Sequence, residues 1–129
     1  MTIYTSYFAK AGQLPRHIIP LSICLKPPHW FKCYNYTPLA PTDRIFQRPE
    51  NEYVPLFLDH LSKLSASAVW KDLHTLSRGE DVALLCYENL EKFCHRHLVA
   101  KWLSEQLDIS VQEYVYSAPP NEPQPLTLF

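Results

Sequence analysis

Glycine is scarce in this sequence, two residues in 129, and that scarcity excludes a glycine-rich loop of the kind that cradles phosphate. Charge of one sign is missing too. The formal net charge is −1, so no overall field marks a nucleic-acid or membrane binder, and only a local basic patch would admit nucleic acid as a partner. No apolar run reaches the roughly 18 residues of a membrane span. The opening "MTIYTSYFAK" lacks the charged start, apolar stretch and cleavage site of a signal peptide. Close cysteine pairs are absent: the four cysteines fall at 24, 33, 86 and 94. Without an export signal they are expected to be thiols of a cytoplasmic protein.

What the chain does hold is proline, twelve residues of it, so its loops are stiffened more than loosened. Hydrophobic residues at 47% against 19% charged describe a globular chain, and 129 residues suit one domain with a real core. "TIYTSYF" (2–8) is β-branched and aromatic and reads as a first strand. "HIIPLSICL" (17–25) reads as a second, apolar on both faces, with Pro20 placed near its start or at an edge. Residues 26–51 form a long segment rich in proline and aromatics, either disordered or functional by its length. Trp30, Phe31, Tyr34 and Tyr36 favour a loop packed onto the body.

Apolar residues at 53, 54, 57, 58, 61 and 64 have helical spacing, with Pro55 expected in the first turn. A second helix is capped by Ser65 or Ser67 and ends at Gly79. "DVALLCY" (81–87) is the clearest strand and is expected to be central. A third helix runs over 94–107 with Leu98, Val99, Trp102, Leu103 and Leu107 inward. "ISVQEYVY" (109–116) reads as a last strand. Strands separated by helices predict a small, mostly parallel α/β sheet with helices on both faces, a single domain over 1–116. The proline-rich 117–129 is expected to be a mobile tail.

In such folds ligands sit beyond the carboxyl ends of the strands. There the strand ending in Cys86 and Glu88 meets a helix beginning Cys94-His95-Arg96. His95 stands three and four residues before Leu98 and Val99 and so turns inward, Cys94 shares that tilt, Arg96 flanks the face and His97 points to solvent. The free N–H groups and the positive dipole end of the helix add to the junction. Ser6, Tyr7, Lys26 and Trp30 reach the same edge if their strands are parallel.

The segments "IYTSYF", "PLSICLKPPHWF", "YTPLAPT" and "ALLCYENLEKFCHRHLVAKWL" resemble the domain-of-unknown-function 488 family over most of residues 1–107. The resemblance implies a compact α/β protein in which Cys86, Glu88, Cys94, His95 and Arg96 match the family motif. It implies no particular reaction. A strand ending in cysteine followed by an arginine-bearing helix also looks like the rhodanese and cysteine-phosphatase arrangement, but the glycine-rich loop is missing here.

Each candidate has a plainer counterpart. Cys94 at a helix start beside His95 and Arg96 suits a nucleophile with a depressed pKa, or is a small buried hydrophobe. Arg96 and His95 bind an anion at the helix start, or Arg96 pairs with Glu88 and pins the loop. Glu88 acts as general acid or base, or accepts hydrogen bonds. Zinc on Cys86, Cys94 and His95 with Cys24 or Cys33 is disfavoured, because structural sites keep about two to four residues between paired ligands, and no metal or cofactor is expected. Lys26, Lys32 and Arg44 interleave with the loop aromatics as in base-stacking platforms, although such residues also simply pack a loop.

These residues lead to an enzyme acting on a nucleotide-like or other phosphate-bearing ligand. Cys94, Glu88 and His95 would carry the chemistry, and Arg96, Cys86, Ser6, Tyr7, Lys26 and Trp30 the binding. The alternative is a binding or interaction module that uses the same pocket without turnover.

Overall fold

The computed structural model describes residues 1–87 and 95–116. Strand β1 (Ile3–Tyr7) runs directly into a one-turn helix α1 (Phe8–Ala11), so Phe8 opens a helix instead of ending the strand. Strand β2 (Ile18–Ser22) follows, then the two-residue β3 (Tyr34–Asn35), a 3₁₀ turn at Thr37–Leu39 and the short α2 (Asp43–Phe46). Helices α3 (Glu50–Ser62) and α4 (Ala66–Ser77) lead to β4 (Asp81–Cys86), α5 (His95–Leu107) and the two-residue β5 (Gln112–Glu113).

The strands form one parallel sheet in the order β3-β2-β4-β1-β5. The chain is thus a small α/β domain with β4 at its centre, as the unbroken apolar run of β4 predicts. Val82, Leu84, Ile3 and Leu21 face the larger layer with Phe57, Leu61, Leu73, Val99 and Leu103 from α3, α4 and α5. Ala83, Leu85 and Ile18 face the thinner layer with Phe8 and Ala11 of α1. The crossover from β1 to β2 runs one way along the sheet, and those from β3 to β4 and from β4 to β5 run the other. Right-handed crossovers then require these connections on opposite faces, as observed.

Several sequence expectations shift in detail. Pro20 sits mid-strand in β2, yet the pairing explains it. Ile23 donates to Leu85 of β4, whereas the Ser22 carbonyl accepts from Tyr36 beside β3. Pro20 has the parity of Ser22, so its nitrogen faces the edge where β3 has not yet begun, since β3 pairs only from Leu21 onward. Pro55 lies inside α3 rather than in its first turn, because the helix starts at Glu50 behind Pro49. The expected strand over 109–116 pairs with β1 only at Gln112–Glu113. Ser65 caps α4 by accepting from the Ala68 amide at 3.2 Å, and the helix ends on left-handed Arg78 and Gly79. The 26–51 segment packs in part: Tyr36 and Leu39 are buried, and the Tyr36 hydroxyl donates to Asp72 at 2.5 Å, while Tyr34 stays exposed. The expected tail at 117–129 lies outside the described residues.

Candidate active site

Adjacent strands whose onward connections leave in opposite directions open a crevice at their carboxyl ends, and that switch point is where ligands bind in open α/β sheets. Here it falls between β2, which continues outward to β3, and β4, which continues toward β5. A cavity of ≈ 260 Å³ lies at this point. Cys24, Leu25 and Lys26 come to it from the end of β2, Cys86 and Tyr87 from the end of β4, and His95 from the first turn of α5. Its outer wall is Pro41, Phe46, Arg48, Glu50 and Tyr53, which the α2–α3 region swings over the strand ends.

His95 is the best-defined group. The inward turn expected from its spacing is observed, and its ring packs edge-on against Phe57 at 5.3 Å between centroids. Its Nε2–H donates to the Ile23 carbonyl, which leaves the lone pair on Nδ1. Nδ1 lies 3.6 Å from Cys86 Sγ. Burial, which outweighs the Ile23 hydrogen bond and is aided by the Arg96 charge, lowers the His95 pKa to about 4. The ring is therefore neutral at pH 7. In the unfolded chain it takes a proton below the ordinary value of 6.5. Between those values the unfolded state holds the extra proton, so stability falls as the pH drops from about 6.5 to about 4. We expect His95→Gln to flatten this part of the stability–pH curve, read by urea unfolding at intervals across the window; an unchanged slope would contradict the assignment. His97, exposed as expected, has its pKa lowered in the same direction by partial burial and Arg96.

The sulfurs differ from expectation. Cys24 and Cys33 are free thiols, but Cys86 is disulfide-bonded, its partner sulfur lying outside the described residues. Four thiols in one redox state is therefore incorrect. Cys24 also lines the cavity, and burial pushes its pKa up to about 12, so it stays protonated. Among the described residues no group of three or more His, Cys, Asp or Glu side chains could hold a metal ion.

Arg96 does not line the cavity. It has no exposed surface, and its guanidinium grips Glu113 of β5 through Nε to Oε1 at 3.0 Å and Nη2 to Oε2 at 3.2 Å. Thr5 donates its hydroxyl to the same carboxylate at 2.7 Å, and the Tyr7 ring lies 5.5 Å from the guanidinium carbon. Arg96 is thus held to β5 through Glu113, and the pairing with Glu88 expected from the sequence lies outside the described residues. Ser6 faces the opposite side of the sheet, 2.7 Å from the Tyr116 hydroxyl. Trp30 is also on that side, packed on Phe8 and Phe31 and 60% exposed. Of the nine site residues expected from the sequence, the cavity gathers Lys26, Cys86 and His95, while Arg96, Tyr7, Ser6 and Trp30 are elsewhere. Glu88 and Cys94 lie outside the described residues.

The sequence reasoning missed Arg48, Glu50, Tyr53 and Tyr87. Tyr87 closes one side by donating its hydroxyl to the Lys26 carbonyl at 2.6 Å. Burial raises the pKa of Tyr53, so its phenol stays protonated. The signal for this wall was the unusual length of the 26–51 segment, which marked function without showing its course.

A parallel α/β sheet with a buried histidine and a cysteine at its switch point defines the class of the protein. Within that class the chain belongs to the DUF488 family: residues 29–107 match the family described as the active DUF488-N3 subclade, DUF488-N3a. No curated protein and no solved structure matches the chain.

Proposed function

We propose that the protein is a small cytoplasmic enzyme acting on a nucleotide-like or other phosphate-bearing ligand bound in the β2–β4 cavity. The observation that carries this reading is the neutral His95 with its Nδ1 lone pair 3.6 Å from Cys86 Sγ, inside a cavity whose wall includes two cations. Lys26 and Arg48 supply the positive charge for the anion, taking the role expected of Arg96. The exposed Arg48–Glu52 pair, 3.0 Å apart, restrains Arg48 only weakly, by about 0.2–1 kcal/mol. Phe46, Tyr53 and Tyr87 give apolar faces for the organic part. His95 would exchange the proton, and reduced Cys86 would be the nucleophile or its neighbour. The subclade's description as active agrees with a catalytic reading.

The alternative, a binding module without turnover, is favoured by one observation: a sulfur held in a disulfide is no nucleophile. Both readings need the ligand. Titrating AMP into the protein by calorimetry is expected to show saturable binding. Lys26→Ala and Arg48→Ala should each weaken it by about tenfold, the loss of one charge-assisted contact, and Trp30→Ala should leave it unchanged. Equal affinity in the wild type and the Lys26/Arg48 double variant would overturn the assignment.

A further inference from the structure

We infer that Tyr87 is a positioning residue of the cavity: its hydroxyl, acting on the Lys26 carbonyl, fixes the point from which Lys26 meets the anionic end of the ligand. The inference rests on the cavity being a ligand site and adds what lets that site tell a phosphorylated ligand from its uncharged counterpart.

Three observations carry it. The first is where the bond lies. Strands β2 and β4 are joined as far as the bond from the Ile23 amide to the Leu85 carbonyl at 3.0 Å. Beyond it the cavity lies between their ends, with Cys24, Leu25 and Lys26 on one side and Cys86 and Tyr87 on the other. The Tyr87 hydroxyl bridges the two ends again by donating to the Lys26 carbonyl at 2.6 Å. The second is the sequence around that carbonyl. It belongs to the peptide bond with Pro27, and proline keeps the residue before it out of helical backbone. Lys26 is therefore restrained twice, by the Pro27 ring and by the Tyr87 hydroxyl. The third is that Tyr87 is itself braced. Its ring packs on Phe8 at 5.3 Å between centroids, and Phe8 is almost fully buried.

A lysine loses conformational freedom when it grips a ligand, and a backbone already fixed in place lowers that cost. Arg48 differs, since its described restraint is the exposed pair with Glu52. The two cations of the wall therefore have separate parts: Lys26 supplies a charge at a set position, and Arg48 adapts to the ligand. The Tyr87 hydroxyl is engaged by Lys26, so it acts through that residue and is not a catalytic group.

The test compares the affinities of AMP and adenosine, by NMR titration, for the wild type, Tyr87→Phe, Lys26→Ala and the double variant. Phenylalanine keeps the ring on Phe8 and removes the hydroxyl alone. Tyr87→Phe should weaken AMP by about fivefold, the order of the cost of ordering one long side chain on binding, and leave adenosine unchanged. In Lys26→Ala the carbonyl remains but carries no ammonium, so adding Tyr87→Phe should bring no further loss. Equal losses for AMP and adenosine would make Tyr87 a cavity wall only and overturn the inference. Undiminished AMP affinity, or losses that add in the double variant, would overturn it too. Carbon-13 relaxation of the Lys26 side chain gives a reading without ligand: its motion should increase in Tyr87→Phe, and unchanged motion would contradict the brace. Increased Lys26 motion in a protein that binds neither AMP nor adenosine would uphold the brace and contradict the phosphate-ligand reading.

Discussion

Alanine at Glu113 is expected to cost about 3–5 kcal/mol, because it breaks a buried ion pair by removing the carboxylate that the fully buried Arg96 guanidinium grips. Two physical terms add here. The guanidinium is out of water, and it sits in the first turn of α5, where the positive end of the helix dipole disfavours a cation. Glu113 offsets both, held in turn by the Thr5 hydroxyl and by the pairing of β5 with β1. The thermal midpoint should fall by on the order of 10–20 °C for a domain of this size. The double variant Arg96→Met with Glu113→Leu should lose less than half as much, since it removes the buried guanidinium together with its carboxylate and costs only the Thr5 hydrogen bond besides. Thermal and urea unfolding of the three proteins check this. A Glu113→Ala protein as stable as the wild type would show that the pair is incidental.

The second large effect should come from Phe57→Ala. Phe57 has no exposed surface, and its ring meets Tyr53 at 5.9 Å and His95 at 5.3 Å between centroids. Truncation leaves a cavity and should cost about 3–5 kcal/mol. It should also change the site. Burial is the largest cause of the low His95 pKa, so water admitted beside the ring should raise that pKa from about 4 toward 6.5. Proton NMR of the imidazole Cε1–H across pH 3–8 follows it directly. Loss of stability with His95 still titrating near its original value would mean that Phe57 supports the core without sealing the site.

Those two residues also show what a sequence can convey. The centre of the sheet was legible because Val82 to Leu85 are apolar on both faces, and the inner face of α5 because Leu98, Val99 and Leu103 recur at helical spacing. His95 was legible by the same spacing. Arg96 was not: a charged side chain is read as flanking unless its partner is known, and Glu113 lies in a two-residue strand that exists only through its pairing with β1. The outer wall failed for a related reason. Arg48, Glu50 and Tyr53 follow a run of short elements between Tyr34 and Phe46, too brief to carry a period, so nothing local told where the wall would lie. Ser6 and Trp30 were placed at the correct edge of the sheet but on the wrong face. Side-chain alternation assigns Ser6 a face only relative to its neighbours, and the helix layers decide which face holds the site.

The central claim is that the β2–β4 switch point is a ligand site, and chemical-shift mapping with AMP on isotope-labelled protein tests it most directly. The account predicts saturable shifts at Lys26, Arg48, Tyr87 and His95, with Ser6 and Trp30 unmoved. Shifts gathered around Trp30 and Ser6, or none at saturating AMP, would contradict it.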